Sequence, residues 1–103
     1  MRHEIDVDQL AERLAAGATV VDVREPVEYA AAHVADTRLI PMGQLAGRLQ
    51  ELDRSHPVHL ICRSGNRSGA MCDVLTAAGF EAVNVRGGIE AWAASGRPVE
   101  VAR

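Results

Sequence analysis

The stretch VHLICRSGNRSGAMCDVLTAAG, residues 58–79, decides the architecture. Val58 to Cys62 form a short apolar run of the kind found in strands buried on both faces. From Arg67 to Gly79 the pattern changes to helical spacing, with Met71, Leu75 and Ala78 on one face and Gly79 as the stop. Between them Arg63, Ser64, Gly65 and Asn66 form a tight connection. A strand that passes through a glycine-bearing loop directly into a helix is a building unit of α/β folds.

The same alternation extends in both directions. Upstream, DQLAERLAAG predicts a helix with Asp8 as N-cap and Gly17 as C′ residue, and TVVDV (19–23) predicts a buried strand. Pro26 suits the first position of a short helix through Ala32. Arg38 to Ile40 read as a brief strand before Pro41, and MGQLAGRLQEL returns to helical spacing through Leu45, Leu49 and Leu52. Downstream, AVNV is a further strand, and Gly87-Gly88 turns into a last helix, IEAWAAS, closed by Gly96 and Pro98. Four or five short strands alternating with helices predict an α/β fold: a small parallel sheet with helices on both faces. Ligands in such folds sit beyond the carboxyl ends of the strands, where Cys62 falls.

Composition narrows the function. The 103 residues suit a single domain, 1–103, and 48% hydrophobic with 24% charged residues is a globular balance. No segment approaches the roughly 18 consecutive apolar residues of a membrane span. The opening MRHEIDVDQL lacks the apolar core of an export signal, so no membrane association and a cytoplasmic location are the expectations. Two cysteines in that compartment read as thiols rather than a bridge. The net charge of -3 argues against nucleic acid, although every basic side chain is Arg and none is Lys. Without Lys, GNRSGA cannot be a Walker phosphate loop. The spacing of Cys62, Cys72 and the histidines matches no common zinc site, so neither metal nor cofactor is expected.

The chemistry concentrates around Cys62. A strand end, a curled loop and a helix N-terminus form an anion cradle, because successive backbone N–H groups point inward and the helix dipole adds positive potential. Arg63 and Arg67 lie close in sequence, so the thiol is expected to ionise below its usual value of about 8.5. Gly65 permits the curl, and Ser68 is expected to cap the following helix. Asp22 and Arg24 end a neighbouring strand and read as a bracing ion pair or as ligand contacts. Arg86 ends a strand on the same side and reads either as part of a positive rim or as an ordinary solvated charge. Cys72, one turn into the helix, reads as a packing residue, and Trp92 as a core anchor. Glu25, Glu28, Asp53 and Glu90 read as solvated faces.

Three segments, VVDVREPVEYAAAH (20–33), HLICRSGNRSG (59–69) and NVRGGIEAW (84–92), together resemble the motifs of the rhodanese domain, in order and over nearly the whole chain. The resemblance implies a rhodanese-like fold and sulfurtransferase activity of the thiosulfate type. In it Cys62 carries a sulfane sulfur as a persulfide between a small anionic donor and an acceptor such as cyanide or a thiol, including a protein thiol. It implies that Cys62, Gly65 and Arg67 fill the motif Cys-x-x-Gly-x-Arg, with Arg63, Ser64, Asn66 and Ser68 completing the substrate-binding loop and the fork of Arg67 facing the donor's oxygens. Two other functions remain open beside it: a persulfide carrier serving a protein partner, and phosphatase or arsenate reductase chemistry known from the same fold. The six residues from Cys62 to Arg67 are one fewer than in cell-cycle phosphatases, which favours sulfur. One segment departs from the pattern. Where members commonly read Gly-His-Ile-Pro-Gly-Ala, this chain has Ala32, His33, Val34, Ala35, Asp36 and Thr37, so the turn lacks its Pro and Gly. His33 reads as a structural hydrogen-bonder.

Overall fold

Short β-branched runs separated by glycine stops assemble into a five-stranded, fully parallel sheet: β1 (Glu4–Ile5), β2 (Thr19–Asp22), β3 (Arg38–Leu39), β4 (Val58–Ile61) and β5 (Ala82–Val85), in the order β1-β5-β4-β2-β3. The computed structural model describes residues 3–102. Met1, Arg2 and Arg103, at the ends of the 1–103 span and in the N-terminal stretch read for export signals, lie outside them. No helix among the described residues is long and apolar enough to cross a membrane.

Parallel strands need crossover connections, and the helices supply them. These are α1 (Val7–Ala15), α2 (Pro26–Ala31), α3 (Met42–Leu45) running into a 3-10 helix (Ala46–Glu51), α4 (Asn66–Ala77) and α5 (Gly88–Ala94). Side chains alternate across each strand, so the sheet feeds two cores. Val21, Val58, Leu60 and Cys62 pack with Leu45, Cys72, Leu75 and Phe80 on one face. Val20, Ile61, Val83 and Val85 pack with Leu10, Ile89 and Trp92 on the other. Helices therefore cover both faces, as the alternation predicts. Each fully buried aliphatic side chain contributes about 1.5–3 kcal/mol, so these two layers hold the strand ends in place.

Several boundaries differ from the sequence reading for local reasons. Asp6 rather than Asp8 caps α1, because Gln9 reaches back to the Asp6 amide and completes a capping box. The helix expected over 42–52 tightens into 3-10 geometry after Leu45, with Arg48 outside helical angles. Ser68 does not cap α4. The helix begins at Asn66, Gly65 is its N-cap at φ +106°, and Ser68 lies in the first turn.

The turn without Pro and Gly has its own solution. Asp36 takes the left-handed conformation, φ +64°, which short polar side chains tolerate better than others. Side chains then tie the turn down: Thr37 Oγ1 donates to the Val34 carbonyl at 2.7 Å, and the Tyr29 hydroxyl donates to the Thr37 carbonyl at 2.7 Å. His33 stacks on Tyr29 with ring centroids 3.9 Å apart, bonds the Tyr29 carbonyl through Nδ1, and pairs its backbone with Glu100. It is a structural hydrogen-bonder.

Candidate functional site

Cys62 follows the last residue of β4 and is 1% exposed, at the floor of the loop that leads into α4. Donors converge on its sulfur. The Gly65 amide lies 3.1 Å from Sγ and the Ser68 hydroxyl 3.3 Å from it. Burial pushes the thiol up, but the Ser68 hydroxyl and the amides of Ser68, Gly65 and Ser64 outweigh it and hold Cys62 below its ordinary value. Arg63, Ser64 and Asn66 of the loop are exposed at its rim.

The backbone of this loop is fixed from the next crossover. The amides of Ile89 and Glu90, in the first turn of α5, donate to the carbonyls of Cys62 (2.9 Å) and Arg63 (3.1 Å). Only glycine fits at position 88, where φ is +58° and a Cβ would run into those same two carbonyls. The Gly87-Gly88 pair thus does more than start a helix: it brings α5 against the cysteine loop.

Asn84 of β5 is a member of this site that the sequence reading missed. It is buried, and its Oδ1 accepts from the Ser68 hydroxyl at 2.6 Å while Nδ2 donates to Glu4 Oε2 (2.8 Å) and to the Gly65 carbonyl (3.2 Å). A polar residue inside the otherwise apolar run AVNV was the available signal, since a buried amide requires partners.

The arginines are arranged differently from the reading of the motif. Arg67 directs its fork at Glu28 of α2, with 2.6 and 2.7 Å bidentate bonds. Glu28 is therefore not a solvated face. Asp22 and Arg24 are both buried and form an internal ion pair: the Arg24 amide and Nε bond Asp22 Oδ1 at 3.0 Å, and Nη2 bonds Oδ2 at 2.9 Å. Arg24 Nη2 also reaches the Ala32 carbonyl at 2.7 Å, so the pair anchors the end of α2, the helix that carries Glu28. Arg63 is 66% exposed and stands 3.9 Å from Glu90, and Arg86 is exposed beyond β5. Cys72 and Trp92 are buried in the two cores, as expected. Among the described residues, no cluster of three or more His, Cys, Asp or Glu side chains could hold a metal.

The family description "Rhodanese-like domain" matches residues 6–95. This chain belongs to the rhodanese-like family. A sulfurtransferase of Allochromatium vinosum is 40% identical over 102 residues, covering 96% of this chain and 95% of that protein. The thiosulfate sulfurtransferase GlpE of Actinobacillus pleuropneumoniae is 36% identical over 87 residues, covering 84% and 81%. Among solved structures, a rhodanese-related protein from Thermoplasma volcanium superposes with a TM-score of 0.89 at 36% identity, covering 96% of this chain and 98% of that one. The family is one of rhodanese-type sulfur transfer.

Within this rhodanese-like chain the Arg67–Glu28 pair has a measurable signature. The Arg67 fork is the main reason the Glu28 carboxyl falls to about 2. A carboxylate depressed on folding adds stability above its unfolded value of about 4.3 and loses it as the pH falls through the folded value. Urea midpoints measured from pH 5 to pH 2 should therefore fall more steeply in the natural protein than in Glu28→Gln. Asp53 is also lowered to about 2 by the Ser55 hydroxyl, but it is common to both proteins and cancels in the comparison. Parallel curves would show that the ion pair does not persist in solution.

Proposed function

We propose that this protein is a sulfurtransferase of the thiosulfate type that works through a Cys62 persulfide, within one domain spanning 1–103. The observation that carries the reading is the convergence of the Gly65 amide and the Ser68 hydroxyl on a buried sulfur whose ionisation is favoured. A thiolate held this way is a nucleophile without a general base.

The Cys62 thiolate attacks the outer sulfur of thiosulfate. The new Sγ–S bond forms as the donor's S–S bond breaks, and sulfite leaves with the bonding pair. Backbone donors of Ser64, Gly65, Asn66 and Arg67 receive the terminal sulfur of the persulfide in the mouth of the loop. A thiol or cyanide then attacks that sulfur, and the Cys62 thiolate leaves. Arg67 acts from its pair with Glu28 as a fixed charge that shapes the loop. Arg63, exposed and loosely paired, is the residue that meets the departing sulfonate oxygens, with Arg86 adding positive charge at the rim. The Asp22–Arg24 pair supports this arrangement from below by holding α2.

Incubation of the protein with thiosulfate, followed by intact-mass measurement, tests the reading. One added sulfur atom per chain is expected, removed by cyanide with release of thiocyanate. A persulfide that forms but passes to protein thiols and not to cyanide would identify a carrier, and no added sulfur from any sulfane donor would overturn the reading.

A further inference from the structure

The Ser68 hydroxyl has one proton and two acceptors. It lies 2.6 Å from Asn84 Oδ1 and 3.3 Å from Cys62 Sγ, and can donate to only one of them at a time. The Asn84 amide cannot turn to relieve the competition. Its Nδ2 is committed to Glu4 Oε2 and to the Gly65 carbonyl, both pure acceptors, so Oδ1 must face Ser68. Both distances suit a hydrogen bond, and a neutral thiol sulfur is a weaker acceptor than an amide oxygen, so Asn84 holds the proton when the sulfur is uncharged.

We propose that Ser68 is a two-position rotor and Asn84 its resting acceptor, so that Asn84 is a positioning residue that sets how readily Cys62 ionises. With Cys62 as a thiol, its S–H donates to Ser68 Oγ and the Ser68 O–H donates to Asn84. When the thiol proton leaves to solvent base, the Ser68 O–H rotates about its Cβ–Oγ bond and donates to the thiolate. No proton passes along the chain and none is stored on the amide. The rotation exchanges a neutral hydrogen bond for a charge-assisted one, which is stronger. Asn84 thereby opposes ionisation by holding the proton that the thiolate needs. A persulfide anion leaves Sγ less charged than a thiolate does, so loading the sulfur returns part of the proton's preference to Asn84. This inference deepens the sulfur-transfer reading, but its test reads thiol ionisation alone and stands or falls separately.

The measurement is the pH profile of Cys62 alkylation by iodoacetamide in the full chain, resolved from Cys72 by peptide mass spectrometry. The proteins compared are the natural one, Asn84→Val, Ser68→Ala and the double variant. Other charged groups around Cys62 are the same in all four: Arg63 with Glu90 of α5, Arg67 with Glu28 of α2, Asp22 with Arg24 after β2, Arg86 after β5 and Glu4 of β1. Asn84→Val suits a strand, and it leaves Glu4 exposed to water and the Gly65 carbonyl still bonded to the Gly69 amide. The expected result is a Cys62 midpoint lower by about half a unit to one unit in Asn84→Val, the worth of one neutral hydrogen bond. Ser68→Ala should raise the midpoint, and the double variant should match Ser68→Ala. A midpoint that rises or stays unchanged in Asn84→Val, or shifts equally with and without the Ser68 hydroxyl, overturns the proposal.

A second readout needs no change at Asn84. Its side-chain amide resonance should titrate with the Cys62 midpoint in the natural protein and become indifferent to pH over that range in Ser68→Ala. A resonance that ignores Cys62 ionisation, or follows it equally without the hydroxyl, overturns the rotor.

Discussion

Cys62→Ser is expected to lose sulfur transfer down to the uncatalysed background, with no sulfur added to the chain from thiosulfate and its fold retained. A serine hydroxyl stays protonated where the thiol ionises, and an alkoxide bound to sulfur would not be a displaceable carrier of sulfane sulfur. The fold should tolerate the change because a serine hydroxyl at the same place can accept from the Gly65 amide and donate to Ser68 Oγ. Circular dichroism and the urea midpoint check the fold, and thiocyanate release checks the activity. Activity near the natural level in Cys62→Ser would sink the mechanism. Cys72, buried in the core beside Leu75, is not a substitute nucleophile on this account.

Asp22→Ala is expected to produce the largest loss of stability, about 3–5 kcal/mol, because it leaves the Arg24 guanidinium buried without its counter-charge. Asp22 is 1% exposed and Arg24 4%, and three of the Arg24 nitrogens bond the carboxylate. The carbonyl of Ala32, and at 3.4 Å that of Glu28, would remain as neutral partners and cannot balance the charge. Asp22→Asn keeps the shape and an acceptor for the Arg24 amide, so its loss should be smaller. Both are read from urea unfolding. A cost for Asp22→Ala below about 1 kcal/mol would place Arg24 in water in solution, since that is the range of exposed pairs. In the folded fraction of Asp22→Ala, sulfur transfer should also fall: Arg24 is no longer held in place beneath the end of α2, and α2 carries the Glu28 that holds Arg67.

The rim of the site is decided by contacts that are distant in the chain. Glu28 meets Arg67 across 39 positions, Asn84 meets Ser68 across 16, and Glu4 meets Asn84 across 80. In each case a reading of neighbours could assign only a type of residue, such as a solvated acid or a strand residue. The expected cap role of Ser68 failed for the same reason: local sequence allows a serine to cap, whereas here the sulfur and Asn84 compete for its hydroxyl.

What the sequence by itself determined is everything carried by local periodicity and backbone freedom. The β-branched runs at 19–22, 58–61 and 82–85, the helical spacing between them and the glycine stops were sufficient for a parallel α/β sheet, and the position of Cys62 at a strand end followed from the same pattern. Gly65 marked the curl of the loop, where it takes φ +106°, and the motif Cys-x-x-Gly-x-Arg came from the resemblance to the rhodanese domain. Tertiary structure alone decided the order β1-β5-β4-β2-β3, and with it which side chains reach the loop. Placing β5 beside β4 sets Asn84 against Ser68 and lays the glycine start of α5 on the Cys62 carbonyl, while β2 on the other side brings the Asp22–Arg24 pair and α2. Such pairings depend on which strands become neighbours, and that is settled by burying two apolar faces at once rather than by any short stretch of residues.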